Sequence, residues 1–280
     1  MTGLDHGLPT GRNKSTKKWA VNSFKPYKSP GGDGIFPALL QQGLDDLLPH
    51  LTRIFQYSYL FGYIPKSWRK VNVVFIPKAG KRPSSEPNSY RPISLGSFLL
   101  KSMEQVLDQH IRAELEKKAP LHRFPFAYQK GKSTTFALHS LVRQLEKTFE
   151  AKEVSLAAFM DIDGAFDNTS YEAIEKAVRA RGLDPSTVAW IKCMLKSREI
   201  SAKLGETTAT IGATRGCPQG GVLSPLLLSL VVEDLLKALS DSGYDVQGYA
   251  DDLVIVVRGK HDETNSRLMQ NALDKVGTGV

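Results

Sequence analysis

Two adjacent aspartates, Asp251 and Asp252, lie in the segment GYADDLVIVV, directly before a run of apolar and mostly β-branched residues. Neighbouring like charges repel, and a purely structural turn forms more readily from Asn-Gly or Asp-Gly. The pair therefore indicates a site for a positively charged partner. The dipeptide alone is weak evidence, because Asp45 and Asp46 lie on the polar face of a segment with helical periodicity, where charge is simply solvated.

A third carboxylate, that of Asp161, lies near the end of the apolar segment VSLAAFMDID at residues 154–163. This segment has the composition of a buried strand, and such a strand delivers the charges at its end to the rim of a sheet. If it pairs beside the hairpin that contains Asp251 and Asp252, carboxylates from distant parts of the chain converge.

Carboxylates this close repel by on the order of 4 kcal/mol per pair at about 4 Å and intermediate dielectric. Bound divalent cations relieve the repulsion, and hard oxygen ligands without His or Cys favour Mg²⁺, with Mn²⁺ as a substitute. Two such ions about 3.5–4 Å apart can activate an attacking hydroxyl and stabilise a leaving oxygen in phosphoryl transfer. The three aspartates therefore predict nucleotidyl transfer.

The composition permits a polyanionic partner. The 280 residues include 37 Lys and Arg against 29 Asp and Glu, which gives a formal net charge of +8. A basic balance allows nucleic-acid binding without establishing it. The two cysteines, Cys193 and Cys217, form no CxxC pattern, so we expect neither a zinc site nor a disulfide framework. The same cysteine usage predicts an intracellular, reducing compartment. The apolar residues 222–232 are too few to span a bilayer, and we expect no membrane partner.

Apolar periodicity predicts the elements that position these residues. Helices are expected at about 35–62, 96–117, 133–150, 170–181, 185–196, 223–240 and 262–276. Strands are expected at 70–78 and 154–163, in a hairpin at 199–213 and on both sides of the Asp pair. Residues 78–95 are expected to form a long basic loop that ends in a Pro-bounded turn.

Three motifs, FMDIDGAFD (159–167), GCPQGGVLSP (216–225) and GYADD (248–252), occur in an order and at intervals that resemble the reverse transcriptases. Further blocks are similar to those of non-LTR (LINE-type) retrotransposons, nearest to the jockey-like elements of insects. These blocks are SPGGDGI, IPKAGK, SYRPISL and YQKGKST. The resemblance covers about residues 20–280.

The resemblance implies an α+β fold: the fingers and palm of a right-hand polymerase, with an antiparallel palm sheet packed against helices and the thumb missing. Residues 1–30 are expected to be a flexible basic arm, 31–150 mainly fingers and 151–280 mainly palm, with 198–216 as a candidate fingers hairpin. The activity implied is RNA-directed DNA synthesis, with an RNA template, a DNA primer, dNTPs and two Mg²⁺ ions. Nuclear access is implied because reverse transcriptases of such elements act at chromosomal DNA.

The resemblance also implies roles for individual residues at the metal centre. Asp161, Asp251 and Asp252 match the metal-binding catalytic triad, and the carbonyl oxygen of Ile162 is a candidate further ligand. Phe166 matches the aromatic residue that closes the pocket under the sugar and excludes a ribose 2′-hydroxyl.

Other residues match the family's contacts to the nucleotide and the primer. Lys78 and Arg91 match fingers residues that hold the incoming triphosphate, Arg as a bidentate fork and Lys as a point charge. Gln219 matches the glutamine that faces nucleotide and template, and Tyr249 lies where the family approaches the primer end. Three glycines are expected to let backbone approach the nucleic acid closely: Gly216, Gly220 and Gly221.

Each position also has a structural interpretation. The alternatives are a strand-end cap for Asp161, a fixed extended loop for Arg91, a solvated charge or template contact for Lys78, a core residue for Phe166 and a turn residue for Gln219. Asp163 and Asp167 stay outside the catalytic set, because Asp167 is at least as well placed to cap a helix.

Three other functions are alternatives to a reverse transcriptase. GKST at 131–134 echoes a phosphate-binding P-loop, but Phe126 stands where that motif requires glycine. Without a thumb, endonuclease or Cys/His module, the chain looks like a fragment, and the alternative function is a truncated, catalytically silent nucleic-acid-binding remnant. The intact triad favours the enzyme. An RNA-dependent RNA polymerase is disfavoured because Phe166 would clash with a 2′-hydroxyl.

Overall fold

The computed structural model describes residues 14–78, 80, 86–118 and 133–279. The helices in these ranges are α1 (Lys14–Asn22), α2 (Pro37–Gln42), α3 (Leu44–Leu60), α4 (Lys66–Arg69), α5 (Phe98–Lys118), α6 (Thr134–Glu150), α7 (Ala165–Asn168), α8 (Tyr171–Ala180), α9 (Pro185–Lys196), α10 (Ser224–Asp241) and α11 (Asp262–Gly279). The strands are β1 (Lys70–Pro77), β2 (Tyr90–Leu95), β3 (Val154–Asp161), β4 (Glu199–Leu204), β5 (Thr207–Gly212), β6 (Asp245–Tyr249) and β7 (Asp252–Gly259). None of the described helices has both the length and the hydropathy needed to cross a membrane.

The chain forms two compact units, each built from two separate stretches of sequence. The first unit comprises Met1–Ala119 and Phe166–Ser224, and the second comprises Pro120–Ala165 and Pro225–Val280. These are units of packing. The assignment of residues 31–150 to fingers and 151–280 to palm stays a prediction.

The first unit contains a mixed four-stranded sheet and a helical core. The strand order is β2-β1-β4-β5, in which β1 pairs antiparallel with β2 and parallel with β4, and β4 and β5 form the predicted hairpin. Helix α3 packs against α1 and α9, and the side chains of Phe55, Tyr59 and Trp190 are buried between helices. The mixed α and β content was predicted, whereas the parallel β1–β4 pair was not.

A hydrogen-bonded carboxylate joins α3 to α9. Asp184 precedes α9, and its Oδ1 accepts hydrogen bonds from the backbone N–H groups of Ser186 and Thr187. The Tyr59 hydroxyl of α3 donates to the same carboxylate at 2.9–3.0 Å. Asp184 is therefore both the N-cap of α9 and a link between two core helices.

The second unit is built on a three-stranded antiparallel sheet with the order β3-β7-β6. The central strand β7 is buried on both faces from Leu253 to Val257. Val254 and Val256 pack against Leu141 of α6. Helix α11 packs against β7 and β3, and Asn265 near its start donates to the carbonyl oxygens of Val154 and Gly259. The sheet is thus held by helices at the centre and ends of its strands.

Most predicted elements are confirmed to within a few residues, but residues 14–22 are a correction. They form α1, whereas the sequence suggested a flexible arm over residues 1–30. Lys17, Ala20 and Val21 of this helix are buried, and α1 packs against α3 and α5. This helix is stabilised by tertiary packing. It was not predicted, because so short an apolar stretch among lysines shows no clear helical periodicity in the sequence. Residues 1–13 lie outside the described residues.

Residues 90–95 are a second correction, because they form strand β2 where a loop was expected over residues 78–95. The strand lies at the edge of the four-stranded sheet and pairs only with β1, so that Pro92 is opposite Phe75. Proline is tolerated at such an edge, since its missing N–H is not needed for a second partner. Residues 79 and 81–85 lie outside the described part of the chain.

The N-cap of α9 generates a pH-dependent prediction for stability. Burial raises the pKa of Asp184, but the hydrogen bonds from Thr187, Tyr59 and Ser186 together lower it below its usual value. The ionised carboxylate therefore stabilises the fold above the unfolded pKa of about 3.9, and this contribution is lost as the pH falls through the lower folded pKa. We expect Asp184→Ala to lower the free energy of unfolding at pH 7 by about 1–2 kcal/mol.

Urea denaturation of both proteins at pH 7 and at pH 3 measures this difference. A smaller difference in the free energy of unfolding at pH 3 than at pH 7 supports the role of the ionised Asp184 as the N-cap. Equal stability of the two proteins at pH 7 would contradict it.

Candidate active site

Asp251 and Asp252 lie at the turn between β6 and β7. Strand β6 ends at Tyr249, β7 begins at Asp252, and these two residues are opposite each other in the antiparallel register. Between them, Ala250 has a φ of 58°, in the left-handed region that residues with a side chain seldom adopt. Strained backbone of this kind is concentrated at functional sites. Here it occurs in the turn that positions the acidic pair at the end of the central strand.

Asp161 is the last residue of β3 and lies directly opposite Asp252 in the β3–β7 register. The backbone continues the contact, because the N–H of Ile162 donates to the carbonyl oxygen of Asp251 at 3.0 Å. The carbonyl oxygen of Ile162 accepts a hydrogen bond from the N–H of Ala165, which leaves its second lone pair for another partner. The structure therefore brings Asp161, Ile162, Asp251 and Asp252 to one end of the sheet. Their roles stay predictions.

Like charges act on one another at this sheet end. Burial raises the pKa of Asp252, and the charges of Asp251 and Asp161 raise it further. The side chains of Asp161 and Asp252 are exposed, and Asp251 is partly buried. The oxygen atoms of the three carboxylates do not form a group within 4.8 Å, so side-chain rotations are needed for all three to share one ion. Carboxylate and carbonyl oxygens are nevertheless the donor set that Mg²⁺ and Mn²⁺ prefer.

One tighter group of ligand atoms occurs elsewhere in the described residues. Single ligand atoms of His110, Glu114 and Asp184 lie within 4.8 Å of one another. His110 and Glu114 face each other one turn apart on α5, and Asp184 is engaged by Tyr59, Thr187 and the start of α9. Because these hydrogen bonds already use both oxygens of Asp184, the group is a structural junction.

A cavity of about 470 Å³ adjoins the acidic residues in the second unit. Its walls come from α6, β3, β6 and β7, and include Leu138, Phe159, Tyr249 and Asp252. Phe159 is 71% exposed. It lies two residues before Asp161 on β3 and therefore on the same face of the sheet. The Nε2 of Gln247 donates to the carbonyl oxygen of Ala137 and so fixes α6 beside β6. The acids therefore border an apolar recess that contains Tyr249.

Gln219 lies in the first unit, on a segment that we call the glycine loop (residues 216–223). The carbonyl oxygen of Gln219 accepts a hydrogen bond from the N–H of Ser94 on β2 at 2.7 Å. The N–H of Cys217 donates to the carbonyl oxygen of Phe166 at 2.6 Å. The loop thus contacts the segment of Phe166 as well as β2, the strand that carries Arg91.

The glycines of this loop are needed for packing within the protein, and the close approach of their backbone to nucleic acid stays a prediction. Gly216 has a φ of 78°, and a Cβ there would lie 2.5 Å from the carbonyl oxygen of Asp167. A Cβ at Gly220 would lie 2.8 Å from the carbonyl oxygen of Ser94. At Gly221 it would meet the Ser224 hydroxyl at 2.7 Å. Protein backbone or side-chain atoms occupy the space that each glycine leaves.

Arg91 lies on β2 and Lys78 directly follows β1 in the first unit. Arg91 is exposed and opposite Ile76 in the β1–β2 register, and the N–H of Lys78 donates to the carbonyl oxygen of Ser89. Both residues are therefore near the same end of the β1–β2 pair. Phe166 of α7 is partly buried. Their contacts to a nucleotide stay predictions, and residues 128–132 of the YQKGKST block lie outside the described residues.

Sequence reasoning missed two residues of the first unit, Glu104 and Arg198. Glu104 lies four residues after Leu100 and three before Leu107, and all three are buried. A charged residue on the apolar face of α5 was therefore the one available signal for Glu104. Nothing in the sequence around Arg198 distinguishes it from the exposed lysines nearby.

Two aspartates at a strand turn beside a third on the neighbouring antiparallel strand define an acidic site of the kind used in metal-assisted phosphoryl transfer. Residues 76–279 match the family described as "Reverse transcriptase (RNA-dependent DNA polymerase)". The chain belongs to the reverse transcriptase family.

Similar proteins are named as polymerases of insect retrotransposons. The "RNA-directed DNA polymerase from mobile element jockey" of Drosophila melanogaster is 29% identical over 255 residues, which are 88% of this chain and 27% of that protein. The protein of the same name from Drosophila funebris is 27% identical over 92% of this chain and 28% of its own length. The "Retrovirus-related Pol polyprotein from type-1 retrotransposable element R1" of Bradysia coprophila is 29% identical over 92% of this chain and 24% of its own length. The chain spans about a quarter of the length of these relatives.

The charge repulsion at the β3–β7 end predicts an effect on stability. Because the folded pKa of Asp252 is raised, its ionised form opposes folding at neutral pH, and protonation below about pH 4 removes this effect. We expect Asp252→Asn to be more stable than the parent chain at pH 7 in EDTA, by on the order of 0.5 kcal/mol because the group is exposed.

Thermal unfolding in EDTA at pH 7 and pH 4 measures this difference, which should shrink at the lower pH. Added Mn²⁺ should stabilise the parent chain more than the variant. A variant that is less stable than the parent at pH 7 in EDTA would contradict the account.

Proposed function

We propose that this chain catalyses RNA-directed DNA synthesis, in which a nucleotide from a dNTP is added to a primer 3′-hydroxyl on an RNA template. The pairing of β3 with the β6–β7 hairpin carries the proposal, because it sets Asp161 opposite Asp252 and beside Asp251. Membership of the reverse transcriptase family supports the same reaction.

In this proposal the three-stranded antiparallel sheet is the palm sheet, and the mixed four-stranded sheet belongs to the fingers. The palm sheet presents the acidic residues at the end of its buried central strand. The fingers sheet presents Lys78 and Arg91, whose charges suit the triphosphate of the incoming nucleotide. The formal net charge of +8 is favourable for binding both nucleic-acid strands.

Asp161, Asp251, Asp252 and the carbonyl oxygen of Ile162 would hold Mg²⁺, with Mn²⁺ as a substitute. The fit rests on the all-oxygen donor set and on the raised pKa of Asp252, which a nearby cation would counteract. Two ions bound there would lower the pKa of the attacking hydroxyl and neutralise charge on the leaving pyrophosphate.

The remaining residues act by positioning, since orientation and electrostatics supply most of the rate in phosphoryl transfer. Tyr249, which lines the apolar recess beside Asp252, would contact the primer end. Phe166 would pack against the sugar of the dNTP, and Gln219 would face the nucleotide and the template. The primer oxygen then attacks the α-phosphorus, and the bond to the pyrophosphate oxygen breaks.

The template, the primer and nuclear access are parts of the same proposal. The names of the relatives assign RNA-directed DNA polymerisation to those longer proteins. Insertion of such elements takes place at chromosomal DNA, and the polymerase must therefore reach the nucleus.

The first experiment measures Mg²⁺-dependent dNTP incorporation by this chain on a primed RNA template at low salt. The double variant Asp251→Ala/Asp252→Ala should lose activity by about a thousandfold, equivalent to roughly 4 kcal/mol of transition-state stabilisation. Asp45→Ala/Asp46→Ala is a matched control, because it removes an Asp pair from the first turn of α3, distant in sequence from the proposed site. This control should keep the parent activity.

A parent chain that is folded and binds primer-template but incorporates no dNTP would contradict the proposal. That result would instead identify a silent nucleic-acid-binding remnant of a longer polymerase.

The role of Phe166 predicts a change in sugar selectivity. Phe166→Ala should remove the group that excludes a 2′-hydroxyl, so the ratio of kcat/KM for dNTP to that for NTP should fall by about tenfold to a hundredfold. Single-nucleotide incorporation with matched dNTP and NTP concentrations measures this ratio. An unchanged ratio, with normal dNTP incorporation, would exclude Phe166 as the selective residue.

A further inference from the structure

Two charged side chains are buried in the first unit next to the glycine loop. Glu104 of α5 is 2% exposed and Arg198, between α9 and β4, is 5% exposed. Burial of a charge is unfavourable unless hydrogen bonds replace the lost water. Half of the groups that replace it in this structure belong to the loop that carries Gln219.

Arg198 holds the beginning of the glycine loop. Its Nη2 donates to the carbonyl oxygens of Gly216 and Arg215, and to the hydroxyl of Tyr171 at 3.2 Å. Its Nε donates to the carbonyl oxygen of Leu195 at the end of α9 at 3.0 Å. The planar guanidinium therefore bridges a rigid helix end and the first residues of the loop.

Glu104 holds the other end of the loop. Its Oε2 accepts hydrogen bonds from the N–H groups of Val222 at 2.6 Å and Leu223 at 3.0 Å, directly before α10 begins. Burial raises the pKa of Glu104 above its usual value, although these two hydrogen bonds and the charges of Lys101 and Arg198 act in the opposite direction. The carboxylate thus replaces water for amides that would otherwise be buried without an acceptor.

The middle of the loop contacts β2 and is also hydrogen-bonded to the first residue of α10. Ser94 of β2 donates to the carbonyl oxygen of Gln219, and Gly220 fits against Ser94 with no room for a Cβ. The hydroxyl of Ser224 donates to the carbonyl oxygen of Pro218 at 2.8 Å. The loop is therefore anchored at its start by Arg198, at its end by Glu104 and in its centre by β2.

We infer that Glu104 and Arg198 are positioning residues that fix the backbone of the glycine loop, so that Gln219 is presented to the incoming nucleotide in one conformation. The inference rests on the proposed function for the part played by the nucleotide. Three glycines give this loop a large conformational freedom in the absence of anchors. Loss of an anchor should therefore weaken nucleotide binding without changing the acidic residues.

Steady-state incorporation by Glu104→Ala, Glu104→Gln and Arg198→Lys tests this role. Glu104→Ala should raise the KM for dNTP by about tenfold, because Val222 and Leu223 lose their acceptor. Glu104→Gln keeps a carbonyl oxygen at the same place and should stay within about twofold of the parent chain. Arg198→Lys should raise the KM severalfold, since an ammonium group cannot reproduce the planar bridge.

Asp184→Ala is the matched control for loss of stability. It also removes a carboxylate that accepts two backbone N–H groups, here from the first turn of a helix of the first unit, and no hydrogen bond joins this carboxylate to the glycine loop. This control should lower stability to a similar degree and leave the KM for dNTP within about twofold of the parent value.

Hydrogen exchange provides a readout that does not depend on activity. Glu104→Ala should accelerate exchange of the Val222 and Leu223 amides selectively, whereas Asp184→Ala should accelerate Ser186 and Thr187. If the parent chain does not polymerise, the proposed function fails while exchange still tests the anchoring. Unchanged exchange at Val222 and Leu223, or equal KM values for Glu104→Ala and Asp184→Ala, would overturn the inference.

Discussion

The antiparallel pairing of β3 with β7 is the contact on which the proposed site depends. It places Asp161 opposite Asp252 and so brings like charges together, which opposes folding. Between exposed carboxylates this repulsion is about 1 kcal/mol at 4 Å in water. Burial of β7 from Leu253 to Val257 stabilises the same pairing by roughly 1.5–3 kcal/mol for each side chain. The free energy of burial of β7 therefore exceeds the repulsion between the carboxylates. A bound cation would relieve the remaining repulsion, which favours metal binding.

In the proposed function each unit supplies its own set of residues. The second unit supplies a sheet end with carboxylates beside an apolar recess. The first unit supplies cations at the β1–β2 pair and a glycine loop whose backbone is held by buried Glu104 and Arg198. In the first unit Arg91 is exposed, whereas the charges that hold backbone in place are buried. This separation is expected where a site must bind a polyanion and still keep its shape.

Much of the fold and the acidic site could be predicted, because strong periodicity and a strand that ends in carboxylates are local signals. Helix α1 could not be predicted, since it depends on the packing of a short apolar stretch. Strand β2 could not be predicted either, since it contains Pro92, which is tolerated only because β2 lies at the edge of the sheet. The packing role of the glycines was not predicted, because their neighbours Asp167 and Ser94 are distant from the loop in sequence. Glu104 shows the same limit: its position on the apolar face of α5 is visible in the sequence, but its two N–H partners are more than a hundred residues away.

Primer extension by Asp161→Asn tests the central claim most directly, because this residue comes from the strand opposite the acidic pair and the substitution removes the charge while keeping the size of the side chain. On a primed RNA template with Mg²⁺, the account predicts that the variant folds, binds primer-template and incorporates dNTP at no more than about a hundredth of the parent rate. Incorporation at the parent rate would show that the β3–β7 pairing does not form the catalytic site.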